Sequence, residues 1–274
     1  MPDILLTMIN ASLKAGKAIL DVKADSKYSV RAKADNSPVT DADLAAQHLI
    51  TENLAPLGIP MISEESAADD YSVRRKWREV FIIDPLDGTK EFIDGTHQYG
   101  VNIALVQDGC PVAGVIYLPE DRMLYFGSRE QPALRARCEP TDRFASLSDI
   151  PALALPLENE NQGENRRENY ILLVSKSRHT PQMTHYLDEF RQRKPQAEIV
   201  PMASCVKYCT IAEGRADQYT RYGSVMEWDT AAGDALLRSL GMELRSIYTG
   251  SPLMYNKENL KSSDFTITRN APDK

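Results

Sequence analysis

Three apolar runs lie end to end between Val101 and Ser128, separated only by tight turns. VNIALV is followed by Asp108-Gly109, VAGVIYL by a turn centred on Asp121, and MLYFGS closes the series. Asp-Gly between alternating apolar stretches is a two-residue hairpin signal. Neighbours joined this closely pair antiparallel, because a parallel pair needs a long crossover. The first half of the chain is therefore built on an antiparallel sheet, and its other segments must pack around it.

Leu5, Leu6, Ile9, Leu13, Ile19 and Leu20 fall near helical spacing and predict an amphipathic first helix. Polar residues break this run and no basic leader or cleavage site flanks it, so it does not read as a signal peptide. Tyr28 to Ala34 alternates like a strand, and Asp35 to Pro38 reads as a turn. Thr40 followed by Asp43 forms a capping box for a helix over DADLAAQHLITENL, closed by Gly58. IPMIS is a short strand running into Glu64 and Glu65, residues 67 to 78 read as a loop, and EVFIID is the next strand. The second half alternates. Strands are expected in YILLVSKS, EIVPM and ADQYTRYG, and helices over TPQMTHYLDEFRQRK, ASCVKYCTIAEG and Trp228 to Leu240, which suggests an α/β layer. The polar stretch from Glu158 to Asn169 reads as a flexible loop or insertion.

Composition narrows the function. The chain has 274 residues, 42% hydrophobic and 26% charged, as expected of a soluble globular protein. Its 32 Lys and Arg against 39 Asp and Glu give a net charge of -7, which argues against nucleic-acid partners. No apolar stretch reaches the ~18 residues of a membrane span. Cys110, Cys138, Cys205 and Cys209 form no C-x-x-C pair and read as core thiols, which fits a reducing cytoplasm.

The chemistry gathers at DPLDGTKEF, residues 84 to 92. Pro85 keeps Asp84 extended at the end of an apolar strand, Asp87-Gly88 reads as a turn, and Thr89 onward starts a helix. Two carboxylates and the Leu86 carbonyl are hard oxygen ligands suited to Mg²⁺. Glu64 ends another strand in SEES, and Asp229 stands at a predicted helix start in EWDTAAG. Gathered in one pocket, such carboxylates repel one another until divalent cations bind. Taken singly, each has a structural role as well: an Asx turn for Asp84 and Asp87, a solvated loop for Glu64, a capping residue for Asp43 and Asp229.

SEES, DPLDGT and WDTAAG in this order resemble the inositol monophosphatase-like superfamily of metal-dependent, lithium-sensitive phosphatases. SPVTDAD, Lys90-Glu91, VNIALV, ASCVKYC and AEGRADQY are similar to its CysQ-type 3'(2'),5'-bisphosphate nucleotidase branch. The resemblance implies an α/β fold of the α+β type, a layered α-β-α-β-α sandwich. It would have an N-terminal lobe over 1–145 and a C-terminal lobe over 146–274. It also implies hydrolysis of adenosine 3',5'-bisphosphate to AMP and phosphate, linked to sulfur assimilation, with a small nucleotide as the partner. By the same resemblance Glu64, Asp84, Leu86, Asp87 and Asp229 would hold two or three Mg²⁺, and Li⁺ would inhibit. Thr89, oriented by Asp43, would activate water beside Glu64, and the amides of Gly88 and Thr89 would bind the scissile phosphate. Ser204, Lys207, His179 and Arg221 would contact the rest of the nucleotide. Some bacterial members are placed at the inner membrane, but the sequence supplies no anchor, and it carries no signal for an oligomeric state.

The chain departs from the branch in four places. VSKSRH is one residue longer before His179, Asp234 stands where histidine is usual, Met202-Ala203-Ser204 replaces a Gly-Ser-Ser-like segment, and the polar stretch before Tyr170 reads as an insertion. Three other readings stay open. One is an inositol or sugar phosphatase of the same superfamily, against which Lys90-Glu91 argues. Another is an aspartyl-phosphate phosphatase, whose D-x-D spacing Asp84 and Asp87 do not keep. The third is a non-catalytic metal and nucleotide binder, which would lack a ligand or water-activating residue.

Overall fold

Asp3 caps the first helix by accepting from the amide of Leu6 at 3.2 Å, and α1 (Ile4–Ala24) follows. The computed structural model describes residues 3–25, 27–157, 169–176 and 180–269, so His179 and most of the polar insertion lie outside the described residues. A hairpin of exposed β1 (Val30–Ala32) and partly buried β2 (Pro38–Thr40) contains Asn36 at φ 64°. The capping box then forms as expected. The Thr40 hydroxyl accepts from Ala42 N at 3.1 Å and the Asp43 carboxylate from Thr40 N at 2.7 Å, starting α2 (Asp41–Leu54).

The chain continues through β3 (Met61–Ser63), α3 (Tyr71–Arg74), β4 (Glu79–Asp87), α4 (Thr89–Ile93), β5 (Gly100–Gln107), β6 (Cys110–Leu118) and β7 (Met123–Ser128). Then come β8 (Leu134–Arg137), β9 (Ala152–Ala154), β10 (Ile171–Ser175), α5 (Pro181–Arg193), β11 (Glu198–Met202), α6 (Val206–Ala212) and β12 (Gln218–Arg221). Last are β13 (Val225–Met226), α7 (Ala231–Arg238), β14 (Arg245–Ser246), β15 (Lys261–Ser262) and β16 (Phe265–Thr268).

β3 to β9 form one seven-stranded sheet in sequence order, antiparallel except where β3 runs parallel to β4. Its alternation builds two cores. Phe81, Ile83, Val101, Ile103, Val115 and Tyr117 pack against α1 and α2, whereas Val80, Ile82, Ala104, Val106 and Ile116 face α6 and α7. The second sheet has order β11-β10-β12-β16-β14. Leu173, Tyr219 and Phe265 on one face close the α6–α7 core, while Leu172 and Val174 on the other meet Met183, Leu187 and Phe190 of α5. The layers therefore run helix, sheet, helix, sheet, helix, a mixed α+β sandwich.

The structure departs from the sequence reading in places where tertiary contacts decide. The expected loop over 67–78 contains α3, capped by Asp70 and held by buried Arg74, which bonds Asp69 O, Asn256 Oδ1 and Lys257 O. The short strands β8 and β9 extend the meander as far as Ala154. Strand–helix alternation foretells the parallel trio β11-β10-β12 but not β14 and β16, which pair antiparallel. Among the described residues no helix is long and apolar enough to cross a membrane.

Candidate active site

β4 does not end at Asp84. Asp84 pairs with Asn102 and Asp87 with Gly100, so β4 carries one extra residue across Pro85 and Leu86. This is a bulge, placed where proline has no amide to give the ladder. Gly88, at φ 98°, then turns the chain into α4. A side chain there would be strained by that φ and would set a Cβ 2.8 Å from the Gln98 carbonyl oxygen. The expected turn is thus a bulged strand end, and the bulge re-aims its carboxylates.

Asp84 is 1% exposed. One of its oxygens accepts from Leu86 N at 3.1 Å, and the other is buried with no hydrogen-bond partner among the described residues. Glu64 arrives from β3, whose parallel pairing to β4 is prolonged by Glu64 N donating to Ile83 O at 3.2 Å. Asp229 lies in a single 3-10 turn, Glu227–Asp229, ahead of α7 rather than on the helix, and accepts from Met226 N at 2.7 Å. One oxygen from each of Glu64, Asp84 and Asp229 lies within 4.8 Å of the other two. Asp87 borders the same cleft and accepts from Asn102 Nδ2 at 3.2 Å.

Burial and mutual repulsion make these carboxyls reluctant to ionise. Burial, then Glu64, Asp87 and Asp229, push Asp84 well above the usual carboxylate range. Burial also raises Glu64, and it takes Asp229, with Asp87 and Glu64 adding, to about 7. One cation that sequence reading missed bears on the group. Lys33, from the β1–β2 hairpin, meets Glu64 at 2.7 Å and Glu65 at 2.5 Å. Its distance in sequence from SEES leaves no local signal for this pairing.

Thr89 opens α4 and donates to Asp43 Oδ1 at 3.0 Å, with the Leu86 carbonyl at 3.3 Å as the other acceptor. The second oxygen of Asp43 accepts from both the amide and the hydroxyl of Thr40, at 2.7 and 2.6 Å. The capping residue of α2 is therefore also the partner of Thr89. Burial raises Asp43, opposed by these hydrogen bonds.

Lys207, Ser204 and Arg221 line the same cleft, joined by Lys176 and Lys261, which the sequence reading did not select. Lys207 is only 4% exposed, so it does not lie on a solvated helix face. Its ammonium meets the carbonyls of Ser204 at 2.6 Å and Met202 at 3.3 Å and sits 5.3 Å from the centre of the Tyr219 ring. Arg221 donates to the Ser175 hydroxyl and to Gly223 O. Asp234 takes no part in the cleft lining. It is fully buried and accepts from Leu244 N at 2.9 Å and the Tyr255 hydroxyl at 3.0 Å.

An all-oxygen donor set, an unpartnered buried carboxylate oxygen and carboxyls lifted by burial and by mutual repulsion fit a hard divalent cation. The layered fold and this acid corner belong to one family. The sequence profile of the inositol monophosphatase family matches residues 3–268, and the chain is a member of that family. Relatives place it further. It is 33% identical over 258 residues to the 3'(2'),5'-bisphosphate nucleotidase CysQ of Escherichia coli (strain K12), an alignment spanning 93% of this chain and 95% of that protein. The crystal structure of CysQ from Bacteroides thetaiotaomicron superposes with a TM-score of 0.86 at 37% identity, covering 97% of each chain. A Thermotoga maritima IMPase shares the fold at a TM-score of 0.69 and 18% identity, over 95% of this chain and 90% of that one.

Proposed function

We propose that the chain is a 3'(2'),5'-bisphosphate nucleotidase that removes the 3'-phosphate of adenosine 3',5'-bisphosphate, giving AMP and phosphate, with Mg²⁺ as its cofactor. The observation that carries this reading is the mixed charge of one cleft of about 450 Å³. Glu64, Asp87, Asp229 and Thr89 line it together with Lys207 and Arg221. A substrate with two separated phosphates suits such a cleft. Inositol monophosphate has no second anion for Lys207 and Arg221.

Glu64, Asp84, Asp87, Asp229 and the Leu86 carbonyl would hold two or three cations. When bound, these neutralise the carboxylates and polarise the scissile phosphate. The rest falls to the chain's own groups. Asp43, fixed by Thr40, holds the Thr89 hydroxyl so that its lone pair faces the cleft as acceptor for a water proton. Water attacks phosphorus in line as its proton passes through the Thr89 hydroxyl to the Asp43 carboxylate, the P–O3' bond breaks, and the leaving oxygen takes a proton from solvent water. The amides of Gly88 and Thr89 would orient the scissile phosphate. Lys207 and Arg221 would hold the other phosphate by charge-assisted hydrogen bonds.

The test is phosphate release from adenosine 3',5'-bisphosphate and inositol 1-phosphate, with Mg²⁺ and with Li⁺ added. Preference for the nucleotide, dependence on Mg²⁺ and inhibition by Li⁺ are expected. Equal or faster turnover of inositol 1-phosphate would move the chain to the other branch of its family.

A further inference from the structure

Asp229 rides on a turn of only three residues, Glu227–Asp229. A single 3-10 turn has little stability of its own, and repulsion from Asp87 and Glu64 works against its place in the corner. The bond from Met226 N closes the turn but ties it to no other element. The tie comes from Glu227, which is fully buried and stands outside the cleft lining. A buried carboxylate is costly unless donors surround it. One oxygen of Glu227 accepts from Asn256 N at 2.6 Å, the other from Lys257 N at 3.2 Å and from the Lys257 ammonium.

Those donors are held in turn. Asn256 takes φ 56°, a left-handed conformation that asparagine tolerates better than most residues. α3 grips both ends of its side-chain amide: Arg74 Nη1 donates to Asn256 Oδ1 at 2.8 Å, and Asn256 Nδ2 donates to the Arg74 carbonyl at 2.9 Å. Arg74 is 3% exposed, and its guanidinium also reaches Lys257 O at 3.2 Å. α3 lies in the segment that joins Glu64 to β4 and Asp84. We infer that Glu227 is a positioning residue for Asp229. Through Asn256 and Arg74 it clasps the turn that carries Asp229 to the segment between Glu64 and Asp84, and so holds oxygens of three repelling carboxylates within 4.8 Å of one another. This rests on the reading of that corner as a metal site, and not on which phosphate ester is cleaved.

Glu227→Gln keeps the shape of the side chain and sets a donor against a donor. Calorimetric titration of the substrate-free protein with Mg²⁺, well below every melting midpoint, is the first readout. The second is kcat and KM for adenosine 3',5'-bisphosphate at low and at saturating Mg²⁺. Glu213→Gln is the control, since Glu213 is also buried but meets the Tyr125 hydroxyl at 2.8 Å and Arg135 at 2.8 Å, outside the cleft lining. Glu227→Gln is expected to bind Mg²⁺ about tenfold more weakly, with kcat recovering as Mg²⁺ saturates and KM within about twofold. Glu213→Gln should melt lower than wild type and bind Mg²⁺ as wild type does. If Glu227→Gln does not fold, Asn256→Gly serves, because glycine accepts the left-handed backbone and keeps the amide that Glu227 accepts from. It should weaken Mg²⁺ binding about fivefold, the worth of one hydrogen bond. Variants at 227 or 256 that melt lower but bind Mg²⁺ as tightly as wild type would overturn the inference. So would a loss of Mg²⁺ affinity in Glu213→Gln that matches theirs. If the wild type binds Mg²⁺ but releases no phosphate from the nucleotide, the functional reading fails, and the titration still decides the clasp. A wild type that binds no Mg²⁺ sinks both.

Discussion

Replacing Asp84 by Asn should stabilise the metal-free protein while abolishing its response to Mg²⁺. The upward shifts of Asp84, Glu64 and Asp229 mean that the folded state binds these protons more tightly than the unfolded chain. Their stability contribution is therefore fully present at acid pH. It is lost as pH rises from the ordinary carboxylate value of about 4 through the folded values, about 7 for Asp229. Asp84 contributes most, being 1% exposed with one oxygen unpartnered. In Asp84→Asn the amide oxygen keeps the bond from Leu86 N. The amide nitrogen takes the place of the unpartnered oxygen and brings no charge to repel Glu64 and Asp229, whose oxygens lie within 4.8 Å. Relieving a buried unsatisfied group is worth about 2 kcal/mol, which for a chain of this size raises the melting temperature by about 5 °C. Thermal unfolding with EDTA at pH 8 and pH 5, then with excess Mg²⁺, measures this. The variant should melt higher than wild type in EDTA at pH 8, with a smaller gap at pH 5. Mg²⁺ should raise the wild type alone. An Asp84→Asn protein that melts below wild type in EDTA at pH 8 would refute the reasoning, because Asp84 would then be satisfied without metal.

Thr89→Ala and Asp43→Asn should each lower kcat by about 10²- to 10⁴-fold while leaving calorimetric Mg²⁺ binding in place, read by phosphate release and titration on the same preparations. Lys33→Met removes the cation on Glu64 and Glu65. It should lower the melting temperature in EDTA by a few degrees and tighten Mg²⁺ binding, since the ion no longer competes with an ammonium. Arg221→Gln should raise KM for adenosine 3',5'-bisphosphate by about tenfold or more, with little change for a nucleoside 3'-monophosphate. Gly233→Ala drives a methyl into the Tyr208 ring and should cost roughly 1–3 kcal/mol in chemical denaturation.

The acid half of the cleft was legible because its chemistry sits in short contiguous segments. DPLDGT, SEES and WDTAAG each place a carboxylate at the end of a strand or beside a helix start, and the structure brings Glu64, Asp84 and Asp229 together. The capping box of α2 was equally plain, since it depends on residues three apart. What escaped reading was set at long range. Lys33 meets its carboxylates from a hairpin about thirty positions away, and Lys261 enters the cleft through β15, a two-residue strand with no periodicity of its own. The bulge in β4 was hidden because its register belongs to the pairing with β5, not to the bulged segment. His179 falls outside the described residues, so its part in the cleft stays with the proposal drawn from sequence.

The charged groups of the cleft come from different layers, and their neutralisation is partial: Lys33 pairs with Glu64, and burial and its neighbours hold the Asp229 carboxyl at about 7 although Arg221 draws it down. The carboxylate corner is anchored in the seven-stranded sheet through β3, β4 and β5. Arg221 belongs to the five-stranded sheet and Lys207 to the helix layer between the sheets. Lys207 settles on carbonyls and an aromatic face and makes no ion pair with Asp87 or Asp229 among the described residues. A cleft that could close its own ion pairs would be more stable empty and would have less charge left to offer. Here part of the cost of clustered carboxylates and of a buried ammonium remains until cations and a doubly phosphorylated ligand supply the missing counter-charges. Binding energy and the deficit in folding energy are then the same interactions counted in two states.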